Sequence, residues 1–86
     1  MPEVHMYTLS TCPWCRKTKQ FFTDKHIPFD FVDYDLADID EQDRIVDEMR
    51  KQTDSISFPY VKIGGKIVQG YDPDKYEQLL REAGGR

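Results

Sequence analysis

The sequence predicts an α/β fold: a four-stranded mixed sheet with the element order β-α-β-α-β-β-α and helices on both faces. Three observations support this prediction. A chain of 86 residues is the size of one small domain. Apolar residues at strand spacing alternate with apolar residues at helical spacing. Glycine and proline separate these segments, without a linker, repeat or low-complexity stretch between them. Residues 1–86 are therefore expected to form a single domain.

The first strand and helix are predicted on either side of a Ser-Thr turn. Val4 to Leu9 contains apolar residues at intervals that fit a strand covered on both faces. Thr11 is at the position expected of a helix N-cap, and Pro13 suits the first helical turn. Apolar residues at helical spacing then extend this helix to about Lys25.

A second strand and a second helix are predicted next. Phe29 to Tyr34 follows a proline break and is rich in Phe, Val and Tyr, which favour strands. Asp38 and Glu41 have the spacing of a capping box. The helix that begins there has one apolar and one charged face and extends to about Lys51.

The last third of the chain predicts a hairpin and a helix. Tyr60 to Ile63 and Lys66 to Gln69 are short strands joined by Gly64-Gly65, a two-residue turn that makes them antiparallel. Asp72-Pro73 has the pattern of an N-cap followed by the first helical residue, and Gly84 ends this helix. Two β-α-β-like connections imply that the first strands are parallel, and the hairpin adds an antiparallel edge.

Composition excludes several classes of protein. Aromatic residues make up 13% of the chain, more than disordered chains contain, and no apolar run approaches the roughly 18 residues that cross a bilayer. A net charge of −4 disfavours binding to nucleic acid. The beginning of the chain lacks the basic and apolar segments of a secretory signal, so we expect a cytoplasmic, reducing location.

The main chemical signal is the pair Cys12 and Cys15, which enclose Pro13 and Trp14. The first sulfur is predicted at a helix start and the second about one turn later, close enough for a disulfide. Exposed N–H groups, the helix dipole and nearby cations favour a thiolate at Cys12. The cations that follow are Arg16, Lys17 and Lys19. Cys12 is the expected nucleophile, and Cys15, more buried and with a higher pKa, is the expected resolving thiol.

Two other uses of the cysteines are less favoured. A zinc site normally requires a second ligand pair, and His5 and His26 are not placed to supply one. A structural disulfide across so short a loop would remove little chain entropy, and the expected compartment is reducing. Thiol–disulfide exchange is therefore the favoured reaction, with no metal and no tightly bound organic cofactor.

The stretch Ser57-Phe58-Pro59-Tyr60 places a proline where the third strand begins. From this stretch alone, the usual interpretation is a trans proline at the start of a strand. A cis Phe58–Pro59 bond would instead place Pro59 against the cysteines and leave the Phe58 backbone free to pair with an extended substrate. Together with the cysteines at a helix start, the sequence favours the cis form. Trp14 is expected as an exposed platform for substrate.

Three elements, in this order and spacing, resemble a glutaredoxin of the thioredoxin fold over nearly the whole chain. They are Tyr7 to Cys15 with its Cys-Pro-Trp-Cys motif, Ser57-Phe58-Pro59, and Gly70-Tyr71-Asp72 before the last helix. The resemblance implies that Cys12 attacks, Cys15 resolves and Pro59 is cis. It also implies that glutathione, the expected co-substrate, lies along Trp14, Phe58, Tyr71 and Asp72.

Two positions differ from many glutathione-using members of the family. Leu9 replaces a basic residue, and Gln69-Gly70 replaces Gly-Gly before the last helix. Val68 to Lys75 also resembles small redoxins that donate electrons to ribonucleotide reductase and are recharged by thioredoxin reductase. A third possibility, from another class, is the glutathione-dependent carriage of an iron-sulfur cluster between two chains, which family analogy makes less favourable when proline follows the first cysteine. A fourth is a redox-silent binding module.

The sequence thus predicts a monomeric thiol–disulfide oxidoreductase with a Cys12/Cys15 dithiol. Its expected substrates are protein disulfides or glutathione mixed disulfides, and its reductant is glutathione or thioredoxin reductase. Pro13, Trp14, Phe58, Pro59, Tyr71 and Asp72 are the expected substrate-binding residues.

Overall fold

The computed structural model describes residues 3–84, which form four strands and three α-helices in the predicted order. Their bounds are β1 Val4–Thr8, α1 Pro13–Asp24, β2 Asp30–Asp33, α2 Ile39–Gln52, β3 Tyr60–Ile63, β4 Lys66–Gln69 and α3 Pro73–Gly84, with a short 3-10 helix at Tyr34–Leu36. No helix within residues 3–84 has the length and apolar character needed to span a bilayer.

The strands form one mixed sheet in the order β2-β1-β3-β4. β1 and β2 are parallel, whereas β3 is antiparallel to both β1 and β4. The parallel relation predicted for the first strands is confirmed for β1 and β2, whereas the second predicted β-α-β-like connection, through α2 to β3, is wrong because β3 runs antiparallel to β1. As a result β1, β2 and β4 all end, and β3 begins, at the same edge of the sheet. This edge is called the cysteine edge below because Cys12 and Cys15 follow β1 there.

Helices cover both faces of the sheet, as predicted. One face packs against α1 and α3 and contains the larger apolar cluster, formed by Val4, Met6, Phe22, Val61, Ile63, Val68, Tyr76 and Leu79. The other face packs against α2 and contains Tyr7, Ile45, Met49 and Tyr60. Alternate residues of β1 and β3 belong to opposite clusters because successive side chains of a strand point to opposite faces.

The start of α1 differs from the prediction. Cys12 itself is the N-cap, not Thr11, and Pro13 is the first helical residue. The Cys12 N–H donates to the carbonyl oxygen of Leu9 at 3.2 Å, which closes a turn. This turn removes Leu9 from the strand and places Thr11 within the loop. The second strand is likewise shorter than predicted, because the chain enters the 3-10 helix at Tyr34.

The other turns and caps agree with the sequence. Asp38 accepts a hydrogen bond from the Glu41 N–H at 2.8 Å and so caps α2. Asp72 accepts one from the Lys75 N–H at 3.2 Å at the start of α3. Gly64 and Gly65 join β3 to β4 with φ angles of 56° and 90°, a left-handed conformation that glycine adopts without strain.

Candidate active site

Cys12 occupies the N-terminal end of α1 in an extended conformation, with φ −87° and ψ 118°. Its side chain is partly exposed. The Cys12 Sγ accepts a hydrogen bond from the Cys15 N–H at 3.3 Å, and its carbonyl oxygen accepts one from the Arg16 N–H at 3.2 Å. The sulfur therefore replaces the side-chain oxygen of an ordinary N-cap, where first-turn N–H groups and the helix dipole favour an anion.

Cys15 lies on the buried side of the same helix, and none of its surface is exposed. The Leu9 N–H donates to its sulfur at 3.4 Å. Burial, together with a hydrogen bond to Cys12, raises the pKa of the Cys15 thiol to about 12, although the Leu9 N–H and the Lys19 charge act in the opposite direction. Both cysteines are free thiols. The two sulfurs therefore differ in exposure, as the sequence predicted.

Pro59 is fully buried at the beginning of β3, and the Phe58–Pro59 peptide bond is cis, as predicted. Tyr60 pairs with Tyr7 across the sheet, so Pro59 lies at the cysteine edge. The Pro59 carbonyl oxygen accepts a hydrogen bond from the Gly70 N–H at 2.8 Å. Phe58 is half-buried and packs against Tyr34, with 5.4 Å between the ring centroids.

Trp14 is 55% exposed, and this exposure was predicted. Its ring stacks on that of Tyr71 with 5.8 Å between centroids and 28° between planes. The Lys17 ammonium lies 5.1 Å from the centroid of the Trp14 ring. The stack joins the helix that bears the cysteines to the segment between β4 and α3. Together the two rings form an aromatic surface beside Cys12.

The predicted substrate-binding residues all lie at the cysteine edge. Pro13 is exposed at the first position of α1. Asp72 is exposed, and one of its carboxylate oxygens caps α3. The structure therefore gives Asp72 a structural role that does not depend on a ligand.

Sequence reasoning missed Thr8 and Asp33. These residues pair directly across β1 and β2, and the Thr8 hydroxyl donates to Asp33 Oδ1. The Lys19 ammonium lies 3.3 Å from the same oxygen, so one of the three cations that follow Cys15 contacts a carboxylate. The parallel pairing of two strands that end together could have identified Thr8 and Asp33 as neighbours.

No group of three or more His, Cys, Asp or Glu side chains that could hold a metal ion occurs within residues 3–84. His5 instead bonds Asp30, with 3.2 Å between Nδ1 and Oδ1. An open groove of about 770 Å³ beside His5, Asp30 and Lys62 lies at the opposite edge of the sheet from the cysteines. This groove is therefore separate from the site described above.

Comparison with known proteins identifies the family. The sequence model of the glutaredoxin family matches residues 4–68. The chain is similar to a glutaredoxin-like 8.6 kDa protein of the rubredoxin operon in Clostridium pasteurianum, with 35% identity over 79 residues, covering 92% of this chain and 99% of that protein.

Solved structures show the same relationship. The glutaredoxin of Archaeoglobus fulgidus superposes with a TM-score of 0.84 and 34% identity, covering 94% of this chain and 88% of the other. The glutaredoxin of Methanosarcina mazei Go1 superposes with a TM-score of 0.78 and 39% identity, covering 98% of this chain and 79% of the other. The fold is therefore the thioredoxin-like fold that the sequence predicted, and the chain belongs to the glutaredoxin family.

Proposed function

We propose that this protein is a thiol–disulfide oxidoreductase that reduces protein disulfides or glutathione mixed disulfides with Cys12 and Cys15. The observation that carries the proposal is the contrast between the two sulfurs. Cys12 is partly exposed at a helix N-terminus, whereas Cys15 is fully buried one turn later and has a raised pKa. Cys12 can react with a substrate that arrives from solvent, whereas Cys15 can react only with a substrate that is already bonded to Cys12.

The first step is an attack by the Cys12 thiolate on a substrate disulfide. A bond forms between Cys12 Sγ and one substrate sulfur, and the other substrate sulfur leaves as a thiolate. The Cys15 N–H and the end of α1 stabilise the attacking anion. The product is a mixed disulfide between Cys12 and the substrate.

The second step releases the substrate. The Cys15 thiol gives its proton to solvent or to the departing thiolate as its sulfur attacks Cys12 Sγ. The bond to the substrate breaks, and a Cys12–Cys15 disulfide forms while the substrate leaves with both electrons. When the bound partner is glutathione, a second glutathione thiolate can instead attack the sulfur of the bound glutathione, which releases glutathione disulfide and returns Cys12 as a thiolate. The oxidised protein is then reduced again by an external thiol or a reductase.

The aromatic surface of Trp14 and Tyr71 supports binding of an extended thiol compound next to Cys12. Two flat, partly exposed rings offer a large contact area at low entropic cost. The cis Pro59 and half-buried Phe58 lie at the same edge of the sheet. We propose that Pro13 and these four residues, with Asp72, contact the substrate in a cytoplasmic, reducing environment.

Single-turnover exchange with a glutathionylated peptide tests the roles of the two cysteines. We expect Cys12→Ser to abolish reduction. Cys15→Ser should still perform the first step and accumulate a mixed disulfide that mass spectrometry detects as added mass. Reduction that persists without Cys12, or a mixed disulfide on Cys15, would contradict the assignment.

The source of electrons is a separate question that one experiment decides. Leu9, at a position where many glutathione-using relatives have a basic residue, favours recharging by thioredoxin reductase, whereas the exposed Asp72 favours glutathione. Consumption of NADPH is compared with glutathione plus glutathione reductase and with thioredoxin reductase alone, using the same disulfide substrate. Turnover with only thioredoxin reductase would identify an electron donor of the ribonucleotide reductase type. Turnover with only glutathione would identify an ordinary glutaredoxin.

A further inference from the structure

A second group of residues lies behind the cysteines, where β1, β2 and α1 meet. Asp33 ends β2 and is mostly buried, with 17% of its side chain exposed, and Lys19 beside it has 24% exposed. Asp33 Oδ1 accepts a hydrogen bond from the Thr8 hydroxyl and lies 3.3 Å from the Lys19 ammonium. A carboxylate and an ammonium are costly to bury unless they are paired, so this pair is held together firmly.

Lys19 is directed toward the resolving cysteine by its position in the helix. It follows Cys15 by four residues, and residues with this spacing lie on the same face of a helix, one turn apart. The Lys19 ammonium also lies 3.7 Å from the centroid of the Phe31 ring. Asp33 and Phe31, both on β2, thus hold the ammonium on the sheet side of α1 and away from bulk water.

Thr8 connects the Asp33 carboxylate to the Leu9 N–H, which is the second group that stabilises the Cys15 thiolate. The Thr8 side chain is fully buried and bonded to Asp33. The next residue is Leu9, whose N–H donates to Cys15 Sγ at 3.4 Å. A change at Asp33 can therefore reach Cys15 through two routes, the Lys19 charge and the Leu9 peptide group.

We propose that Asp33 is a positioning residue for the resolving step, because it holds Lys19 and, through Thr8, the Leu9 N–H where these two groups stabilise the Cys15 thiolate. This inference rests on the proposed function. It concerns the second step, in which Cys15 loses a proton to solvent or to the leaving thiolate and its sulfur displaces the substrate from Cys12. Lys19 and the Leu9 N–H stabilise the negative sulfur; neither takes up the proton.

Other groups that face Cys15 act against its ionisation. Burial and the hydrogen bond with Cys12 raise the Cys15 pKa, while the Leu9 N–H and Lys19 lower it. A negative charge on Cys15 also acts to raise the pKa of the Tyr76 hydroxyl on α3. Asp33 is itself negative, so its direct field would disfavour the thiolate. The proposal therefore makes a prediction of definite sign: removal of the Asp33 charge slows the resolving step, although the field of Asp33 alone would make it faster.

Ellman's reagent separates the two steps in stopped-flow measurements. Attack by Cys12 releases the first coloured aromatic thiolate, and attack by Cys15 on the mixed disulfide releases the second. The leaving group is the same in each variant, so the rate of the second phase reports the ionised fraction and reactivity of Cys15. Between pH 6 and about 9 this rate should increase roughly tenfold per pH unit, because the thiol is mostly protonated there.

Lys19→Met is expected to slow the second phase about three- to fourfold and to slow the first phase less. Loss of the ammonium raises the Cys15 pKa and so lowers the thiolate fraction, and the more basic sulfur recovers only part of this loss through greater nucleophilicity. Lys19→Arg, which keeps the charge, should stay within about twofold of the parent. The matched control is Lys25→Met, since Lys25 pairs with Glu77 at 2.9 Å on the far end of α1, and it should change neither phase.

Asp33→Asn distinguishes positioning from a direct electrostatic effect. We expect the second phase to slow about two- to threefold, and the Lys19→Met, Asp33→Asn double variant to be slower than Lys19→Met by less than this factor, because only the route through Thr8 and the Leu9 N–H is then left to lose. Asp33→Asn that leaves the rate unchanged or raises it would overturn the proposal, as would effects that multiply in the double variant. Far-ultraviolet circular dichroism and an intact first phase show that each variant is folded. If the unaltered protein shows no first phase, the proposed function itself is wrong, whatever the variants show.

Discussion

The two faces of the sheet are held to their helices by different chemistry. The face toward α1 and α3 has a continuous apolar layer, and its polar contacts are buried within it: Thr18 lies 3.1 Å from the Tyr76 hydroxyl, which in turn donates to the Gly70 carbonyl oxygen. The face toward α2 has a smaller apolar cluster. Its polar contacts lie at the margin, where Glu48 accepts hydrogen bonds from Tyr7 and Lys62.

This difference separates the elements that hold the site from those that only stabilise the fold. Cys15 and Thr18 are buried on the α1 and α3 side, and Tyr76 links α1 to the segment that contains Tyr71. The α2 face meets the sheet without contributing a reactive group. Changes on the first face should therefore alter both stability and the cysteines, whereas changes on the second should alter mainly stability and reach the site only through Phe58.

Phe22→Ala should have the largest effect. Phe22 is fully buried and packs against both Phe29 and Tyr76, so its truncation leaves a cavity and is expected to cost about 3–5 kcal/mol. This cost approaches the entire stability of many small domains. Urea denaturation measures it, and Met49→Ala on the α2 face is the matched core truncation. A larger loss from Met49→Ala than from Phe22→Ala would contradict the ranking of the two clusters.

Tyr76→Phe should have the next largest effect and should reach the site. Loss of the hydroxyl leaves the buried Thr18 hydroxyl and the Gly70 carbonyl without this partner, at a cost of about 2 kcal/mol. Because Gly70 precedes Tyr71, we also expect weaker stacking on Trp14 and a changed Trp14 fluorescence in the folded protein. Unchanged fluorescence together with the expected loss of stability would show that the two regions are independent.

The structural features that the sequence predicted are those that depend on local patterns. The helices, the hairpin and the Asp38 and Asp72 caps follow from spacing and residue type, and the cysteine pair is visible directly. The sulfur cap at Cys12 was missed because cysteine is not a common N-cap residue and Thr11 is. The Thr8–Asp33–Lys19 contacts depend on strand pairing and on which face of α1 meets β2, and neither can be read from one segment alone.

Glu48→Gln tests the polar contacts of Glu48 with Tyr7 and Lys62 at the margin of the α2 face. Burial acts to raise the pKa of Glu48, but hydrogen bonds from Lys62 and Tyr7 outweigh it and lower the pKa below its usual range. We expect a loss of about 1 kcal/mol at neutral pH, allowing for solvent screening of a side chain that is one third exposed. A lowered pKa gives stability that is present above the unfolded value of about 4.3 and lost as the pH falls through the folded value.

The difference in unfolding free energy between Glu48→Gln and the parent should therefore shrink as the pH falls below about 4.3. The matched control is Glu77→Gln, a more exposed carboxylate on the other face that pairs with Lys25. It should cost less at neutral pH because its partner is also exposed. A difference for Glu48→Gln that is independent of pH would show that its effect is steric.

Tyr60→Phe should have the smallest effect, and it should raise the free energy of unfolding, whereas the other substitutions lower it. Tyr7 and Tyr60 are stacked neighbours on the α2 face, 5.7 Å apart, yet Tyr7 donates to Glu48 while the buried Tyr60 hydroxyl has no hydrogen-bond partner within residues 3–84. Removing an unpaired buried hydroxyl avoids its desolvation cost, so Tyr60→Phe should stabilise the fold by about 0.5–1 kcal/mol. Tyr7→Phe removes the same atom from the adjacent ring and should destabilise it by about 1 kcal/mol. Equal destabilisation by both substitutions in urea denaturation would mean that the Tyr60 hydroxyl is satisfied in solution. Neither substitution should change the rate at which Cys12 reacts, because Cys12 and Cys15 lie at the start of α1, which packs on the opposite face of the sheet.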